Sequence, residues 1–351
     1  ASNVPRLDYS DGGCPSLLLE GTSTNLITYS EDFSDASWTK SGSSVVSGFT
    51  SPDGSTNAFK FVPTNSNTTH RIKEALSVVS GDYTHSVFAK KGEYKNILVW
   101  DDELDSGIGV NLDDLSVWRN VNTQGYKIEN YGNGWIRISV TFTFVSQTLT
   151  PSLYVYDNSV TPQITFSGND VDSLYIWAAQ LEENSYATSY IKTVGSPQTR
   201  TADTATGSGN STVINSSEGV LYFEGSALAD DGTNRYISLS DGSISNRVNI
   251  FFDSSNNLRG YYNGLSGSIS INIDTTINNK IAFKYKSGDS ALWVNGTEVA
   301  TRADSLSLVG LNLLSFDLSG GGGNIFNSKT KSLQVYTTAL SDAELISLTT
   351  I

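Results

Sequence analysis

Alternation of apolar and polar residues is clearest in Trp135-Ile-Arg-Ile-Ser-Val-Thr-Phe-Thr-Phe144. Ile136, Ile138, Val140, Phe142 and Phe144 share one parity; Trp135, Arg137, Ser139, Thr141 and Thr143 share the other. A period of two is that of a strand with one face in a core and one toward water. Similar short runs, bounded by turn residues such as Ser51-Pro-Asp-Gly54, predict strands at 25–29, 57–62, 71–79, 83–89, 96–101, 107–112, 126–130 and 152–156. Residues 171–181 are apolar on both parities, with Leu174, Ile176 and Ala178 against Tyr175, Trp177 and Ala179. Such a strand is either central and covered or lines an aromatic groove.

The pattern stops after Tyr186, Tyr190, Ile191 and Val194. From Gly195 the chain turns to small polar residues, glycines and Pro197, which cannot bury enough apolar surface to fold alone. Residues 195–215 are therefore expected to join two β domains. Strand patterning resumes at 219–224, 247–252, 258–262, 268–273 and 331–336, with Ile281, Phe283 and Tyr285 alternating against Ala282, Lys284 and Lys286. Asn295-Gly296, between two strand-like runs, predicts a type I′ hairpin because both central positions need positive φ. Ser341-Asp-Ala-Glu344 has the spacing of a capping box and predicts a short C-terminal helix. At the other end, Pro5, the Asp11-Gly12-Gly13 turn signal, Pro15 and Leu17-Leu18-Leu19 predict an extended arm over 1–24 containing one strand. It either lies on its own domain or reaches a neighbouring subunit. The expected fold is all-β, with two β-sandwiches in tandem at 25–194 and 216–351.

Composition narrows the function classes. Of 351 residues 38% are hydrophobic and 17% charged, so Ser, Thr, Asn and Gly must cover much of the surface. A net charge of −14 repels phosphate backbones and argues against nucleic acid as a partner. No apolar run approaches the ~20 residues that span a bilayer, which argues against membrane insertion. Cys14 is the only cysteine, so no internal disulfide forms. The chain has no Met, and is read as a processed chain or a fragment.

Several pieces in order carry a resemblance: Asn25-Leu-Ile-Thr-Tyr-Ser-Glu-Asp-Phe-Ser with Trp38, Ser51-Pro-Asp-Gly, Gly134-Trp-Ile-Arg-Ile-Ser, and Gln180-Leu-Glu-Glu with Thr188-Ser-Tyr-Ile. Over about residues 1–205 the chain resembles a module of bacteriophage virion proteins, tail fibres among them, and looks like the jelly-roll carbohydrate-binding modules. From 216 the Trp293-Val-Asn-Gly hairpin, the last strand and Leu340-Ser-Asp-Ala-Glu-Leu are similar to concanavalin A-like sandwiches of the laminin G kind. The resemblance implies a non-enzymatic protein of a tail fibre or other external appendage. It would be assembled in the host cytoplasm, sit on the virion surface among other virion proteins, and form an oligomer, a trimer being favoured. It would bind host-surface polysaccharide or other glycan. Two alternatives stay open: the accessory carbohydrate-binding region of a polysaccharide-degrading enzyme, and a decoration protein with no ligand.

Candidate chemistry fits binding better than catalysis. With only His70 and His85, a Ser-His-Asp set or a histidine metal cluster is nearly excluded by counting. Paired carboxylates occur, but no strand carries the Glu-x-Asp-x-x-Glu alternation that concanavalin A-like glycosidases show. Sugars stack their apolar faces on aromatic rings and pair their hydroxyls with planar polar groups. The candidates are Trp100 with Asp101 and Asp102, Trp118 with Arg119, Tyr154 with Tyr156 and Asp157, and Tyr261, Tyr262 and Asn263. Trp38, Trp135, Trp177 and Trp293 are expected in the framework. No cofactor is expected except a structural Ca²⁺, for which Glu31, Asp53 and Asp172 in the first domain and Asp230 and Asp231 in the second are the candidate ligands.

Overall fold

The computed structural model describes residues 5–10, 13–145, 148–263, 267–321 and 323–351. Asp11 and Gly12 of the expected N-terminal turn, and Gly322 of the Gly320–Gly323 run, lie outside them. Two compact units are present, residues 22–201 and residues 1–21 with 202–351. Each is a β-sandwich, and the described residues contain one short helix. No helix is long and apolar enough to cross a membrane among them.

In the first unit one sheet runs Gly125–Asn130, Trp135–Phe144, Gly81–Lys90, Leu174–Glu182, Ala58–Pro63, Ser43–Phe49. The other runs Val117–Val121, Ser106–Asn111, Asn96–Asp101, Pro151–Tyr156, Thr68–Lys73, Thr165–Phe166, with Thr39–Ser41 also paired to Thr68–Lys73. Between them lies a core that includes Phe33, Trp38, Phe61, Val99, Ile138, Phe142, Leu153 and Ile176. Its members alternate along the strands except at Leu174–Glu182, where the register shifts between Trp177 and Gln180 and Ala178 takes φ of 54°, so that Ala178 joins the outer cluster and Ala179, not Ala178, follows Leu174 and Ile176 into the core.

Parity did not settle which faces meet water. Trp135, Arg137, Ser139 and Thr141, expected to be solvated, are buried; of that parity only Thr143 is exposed. Two features cover them. Phe88, Trp135, Trp177 and Ala178 form a second apolar cluster on this outer face, and the segment after Glu182 folds back, its Asn184 and Ser185 carbonyls accepting from Thr84 and Thr141. Residues 171–181 are thus a covered strand; Val171 itself is exposed and pairing begins at Leu174.

The second unit corrects the expected arm. Leu7–Asp8 and Ser16–Leu19 are strands of its larger sheet, whose order is Leu7–Asp8, Ser16–Leu19, Ser328–Tyr336, Glu218–Ala227, Asn279–Lys286, Ser290–Val294, Thr297–Arg302. Leu17 pairs with Thr330 and Leu19 with Ser328. The tie is electrostatic as well: Arg6 bonds both Glu20 and Asp203, and Lys329 pairs with Asp8 at 2.7 Å. Ser23–Asn25 instead pairs with Gln198–Arg200 in the first unit. The expected connector therefore contains a strand, and its Ile214 is buried in the second core. The facing sheet runs Ile269–Asn272, Asn257–Tyr262, Arg247–Phe252, Arg235–Ser240, Leu313–Ser315.

Two local expectations appear as drawn. Asn295 and Gly296 have φ of 50° and 82° between Ser290–Val294 and Thr297–Arg302. The helix Asp342–Thr349 opens on a complete Ser341/Glu344 capping box and buries Leu345 against Val220, Tyr222, Ala282 and Trp293. Ser341→Ala should destabilise the second unit by about 1 kcal/mol, read as a lower urea midpoint with unchanged slope.

Candidate functional site

The outer face of the first unit's second sheet carries a groove of about 410 Å³. Its floor comes from strands remote in sequence. Asn96–Asp101 pairs with Pro151–Tyr156 so that Leu98 lies opposite Tyr154 and Asn96 opposite Tyr156. Period two puts Leu98, Trp100, Tyr154 and Tyr156 on the same outward face. Thr68–Lys73 adds Arg71 and Lys73, and Val117–Val121 adds Arg119. The register between Ser106–Asn111 and Val117–Val121 slips at Gly109/Val110. This bulge lets Trp118 join the outward cluster beside Arg119.

Two glycines make this possible. A Cβ on Gly109 would lie 2.4 Å from the Trp118 ring; one on Gly107 would lie 2.8 Å from Trp100 and 2.2 Å from the Val99 carbonyl oxygen. Trp118 accordingly lies down over the sheet, its ring 4.7 Å from that of Tyr156.

The aromatic floor is not bare. Trp100, Tyr154 and Tyr156 are 5%, 5% and 3% exposed. The Arg119 guanidinium sits 4.6 Å above the Trp100 ring, and that of Arg71 5.8 Å from the Tyr154 ring. The rings support the cations, and the surface offered to a ligand is chiefly polar. Asp102 organises one end: it accepts from Tyr154 Oη at 2.6 Å, Arg71 at 3.0 Å and Lys73 at 3.1 Å. Burial, with the hydrogen bond to Asp102, pushes the Tyr154 phenol up to about 12. Glu103 and Asp105 complete the lining from the turn.

At the other end three buried polar atoms, Arg119 Nε, Trp118 Nε1 and Tyr156 Oη, have no hydrogen-bond partner among the described residues. Burial raises the Tyr156 phenol against the pull of the Arg119 charge.

Of the first-domain candidates, Trp100, Asp102, Arg119, Tyr154 and Tyr156 line this groove and Trp118 braces it. Asp101 does not join them. The same period two turns it inward, fully buried, where it accepts from the backbone N–H groups of Glu103, Leu104 and Thr150. Arg71 and Lys73 were not singled out from sequence, although Arg71-x-Lys73 has the spacing that places two cations on one strand face.

In the second unit the candidates separate. Tyr262 is fully buried in the core, its hydroxyl shared with Ser290 and the Asp304 carbonyl. Tyr261 faces out beneath the Arg247 guanidinium at 4.9 Å, near a stacked Tyr236–Phe251 pair. Asn263 ends the strand, its N–H donating to the Arg247 carbonyl.

The candidate calcium ligands have other partners. Glu31 accepts from Asn57, Tyr190 and Lys192. Asp53 closes a turn with Ser51 and Ser55. Asp172 accepts from Asn169, and Asp231 from Arg235, while Asp230 is exposed. Among the described residues no three His, Cys, Asp or Glu side chains gather as a metal-holding group.

No protein-family model matches the chain, and no curated protein matches it. Solved structures similar to it include the Ruminococcus gnavus IT-sialidase CBM40, at 17% identity and TM-score 0.32, over 41% of this chain and 94% of that one. The same module bound to α2,3 sialyllactose aligns at 17% identity and TM-score 0.33, with the same coverage. The mouse laminin α1 chain, domains LG4-5, aligns at 11% identity and TM-score 0.28, over 79% of this chain and 90% of that one.

Proposed function

We propose that this protein binds glycans without acting on them, and that its site is the groove over Trp100, Tyr154 and Tyr156. One observation carries the reading. Cations (Arg71, Lys73, Arg119), carboxylates (Asp102, Glu103, Asp105) and a tyrosine hydroxyl converge on one sheet face in a groove of about 410 Å³, large enough for a sugar unit or two. Paired donors and acceptors held on a rigid strand platform match the adjacent hydroxyls of a pyranose ring. Following the resemblance of residues 1–205, the protein would serve as an oligomeric host-recognition part of a phage virion. Absence of catalysis belongs to the same proposal: of the three lining carboxylates, Asp102 is already committed to Arg71, Lys73 and Tyr154.

Binding of the whole chain to a glycan array and to host cells, with and without a chelator, tests this. Asp102→Asn releases Arg71 and Lys73 from their shared anchor, and should weaken glycan affinity at least tenfold. An unchanged affinity would move the site elsewhere. The low exposure of the floor rings favours one second reading, a ligand-free structural protein, and absence of binding to every glycan and cell surface would establish it in place of the first.

A further inference from the structure

Building on the glycan reading, we infer that the groove selects sugars carrying a carboxylate, and that Arg119 is the residue that takes it. The two ends of the groove differ in how their charges are used. Arg71 and Lys73 are matched by Asp102 at 3.0 and 3.1 Å. The Arg119 side chain forms no ion pair and no hydrogen bond among the described residues, although it is half-buried. A half-buried guanidinium without an acceptor is costly, and here, among the described residues, only the Trp100 ring face offsets its desolvation. Its Nε, Trp118 Nε1 and Tyr156 Oη are buried without partners among the described residues, and of these residues Arg119 and Tyr156 line the groove. Tyr156 is 3% exposed, so its hydroxyl has little access to bulk water.

A guanidinium can only donate. What Arg119 lacks is therefore an acceptor-rich group. A carboxylate supplies two oxygens and the missing charge, and the planar guanidinium fork fits it with two parallel bonds. Trp100 holds that guanidinium 4.6 Å from its ring centre, so little side-chain freedom is lost on binding. Asp105 lies on the same lining, exposed and without an ion pair to Arg119; it opposes an anion there but can accept from a sugar hydroxyl. The combination suits an acidic monosaccharide within a glycan better than an inorganic anion, which would meet Glu103 and Asp105 with no hydroxyl to offer.

The test uses the full chain against a panel of uronate- and nonulosonate-bearing glycans, each beside its carboxyl-reduced twin, with neutral glycans alongside. We expect acidic members to bind at least tenfold more tightly than their reduced twins. Arg119→Gln should remove that preference, and Arg119→Lys should restore part of it, with thermal midpoints near wild type in both. Equal binding of acidic and reduced twins, binding of neutral glycans alone, or an unchanged preference in Arg119→Gln would overturn the carboxylate assignment and leave the glycan reading standing. Binding to nothing in the panel would remove both.

Discussion

Gly109→Ala is expected to weaken glycan binding by at least tenfold while the first unit stays folded, whereas Gly107→Ala should unfold it at markedly lower temperature. The two glycines lie two residues apart on one strand and face the same side, so the contrast isolates what each does. The three heavy atoms nearest a methyl at 109 all belong to the Trp118 ring, at 2.4 to 2.6 Å. Trp118 is half-buried and can swing outward. The stability loss should stay near 1 kcal/mol, within the usual range for a displaced partly exposed side chain. The site does not survive so well, because Trp118 leaves Tyr156 and drags its neighbour Arg119 from Trp100. A methyl at 107 has no such escape. It would stand 2.2 Å from the Val99 carbonyl oxygen and 2.8 Å from the Trp100 Cα, both backbone atoms, and φ at this position is +146°. Overpacking and the unfavourable φ together should cost about 3 kcal/mol or more. In a unit of this size that corresponds to roughly 10 °C in thermal midpoint. Calorimetry and glycan titration on both variants check the pair. Equal affinity in Gly109→Ala and wild type would mean that Trp118 has no part in the site.

Those glycines mark what local sequence can and cannot show. Ser106-Gly-Ile-Gly-Val-Asn111 reads as a strand, and alternate glycines in a strand signal a close approach. What approaches is set by the neighbouring strands, and no local pattern names them. Likewise the parity of Trp100, Tyr154 and Tyr156 was visible, but their meeting depends on pairing strands about fifty residues apart. Tyr261 and Tyr262 show the reverse failure. Leu258, Gly260 and Tyr262 share one parity and Arg259 and Tyr261 the other, so adjacent tyrosines could never have lined one surface. The arm was misplaced because Ser16–Leu19 finds its partner more than three hundred residues downstream, at Ser328–Tyr336. The Asn295-Gly296 hairpin and the Ser341/Glu344 cap were legible because all their determinants lie within a few residues.

Between pH 6.5 and 4 the stability of the first unit should change less in wild type than in two single variants, which slope in opposite senses. His85 lies on the Gly81–Lys90 strand with the inward parity of Tyr83 and Val87, fully buried between the sheets. Neither ring nitrogen forms a hydrogen bond of normal geometry. Burial lowers it to about 4, against a weak upward pull from the Trp100 backbone. The unfolded chain then binds a proton near pH 6.5 that the folded chain refuses until about pH 4, so stability falls as pH falls through that window. At 1.36 kcal/mol per unit the loss reaches about 3 kcal/mol. Asp101 works in the other direction. Burial pushes its carboxyl up to about 6 despite three backbone N–H donors. The folded chain takes up a proton that the unfolded chain does not bind until about 3.8, so stability rises as pH falls, again by about 3 kcal/mol. The two slopes oppose each other while both residues are present. His85→Leu removes the loss without removing a hydrogen bond of normal geometry, so it should match or exceed wild type at pH 7 and gain about 2 kcal/mol more by pH 5. Asp101→Asn leaves the Thr150 N–H facing an amide and is less stable throughout, but its stability should decline steadily on acidification. Urea unfolding at half-unit pH intervals reads both slopes. Parallel curves for wild type and His85→Leu would show that His85 is protonated in the folded core as readily as in the unfolded chain.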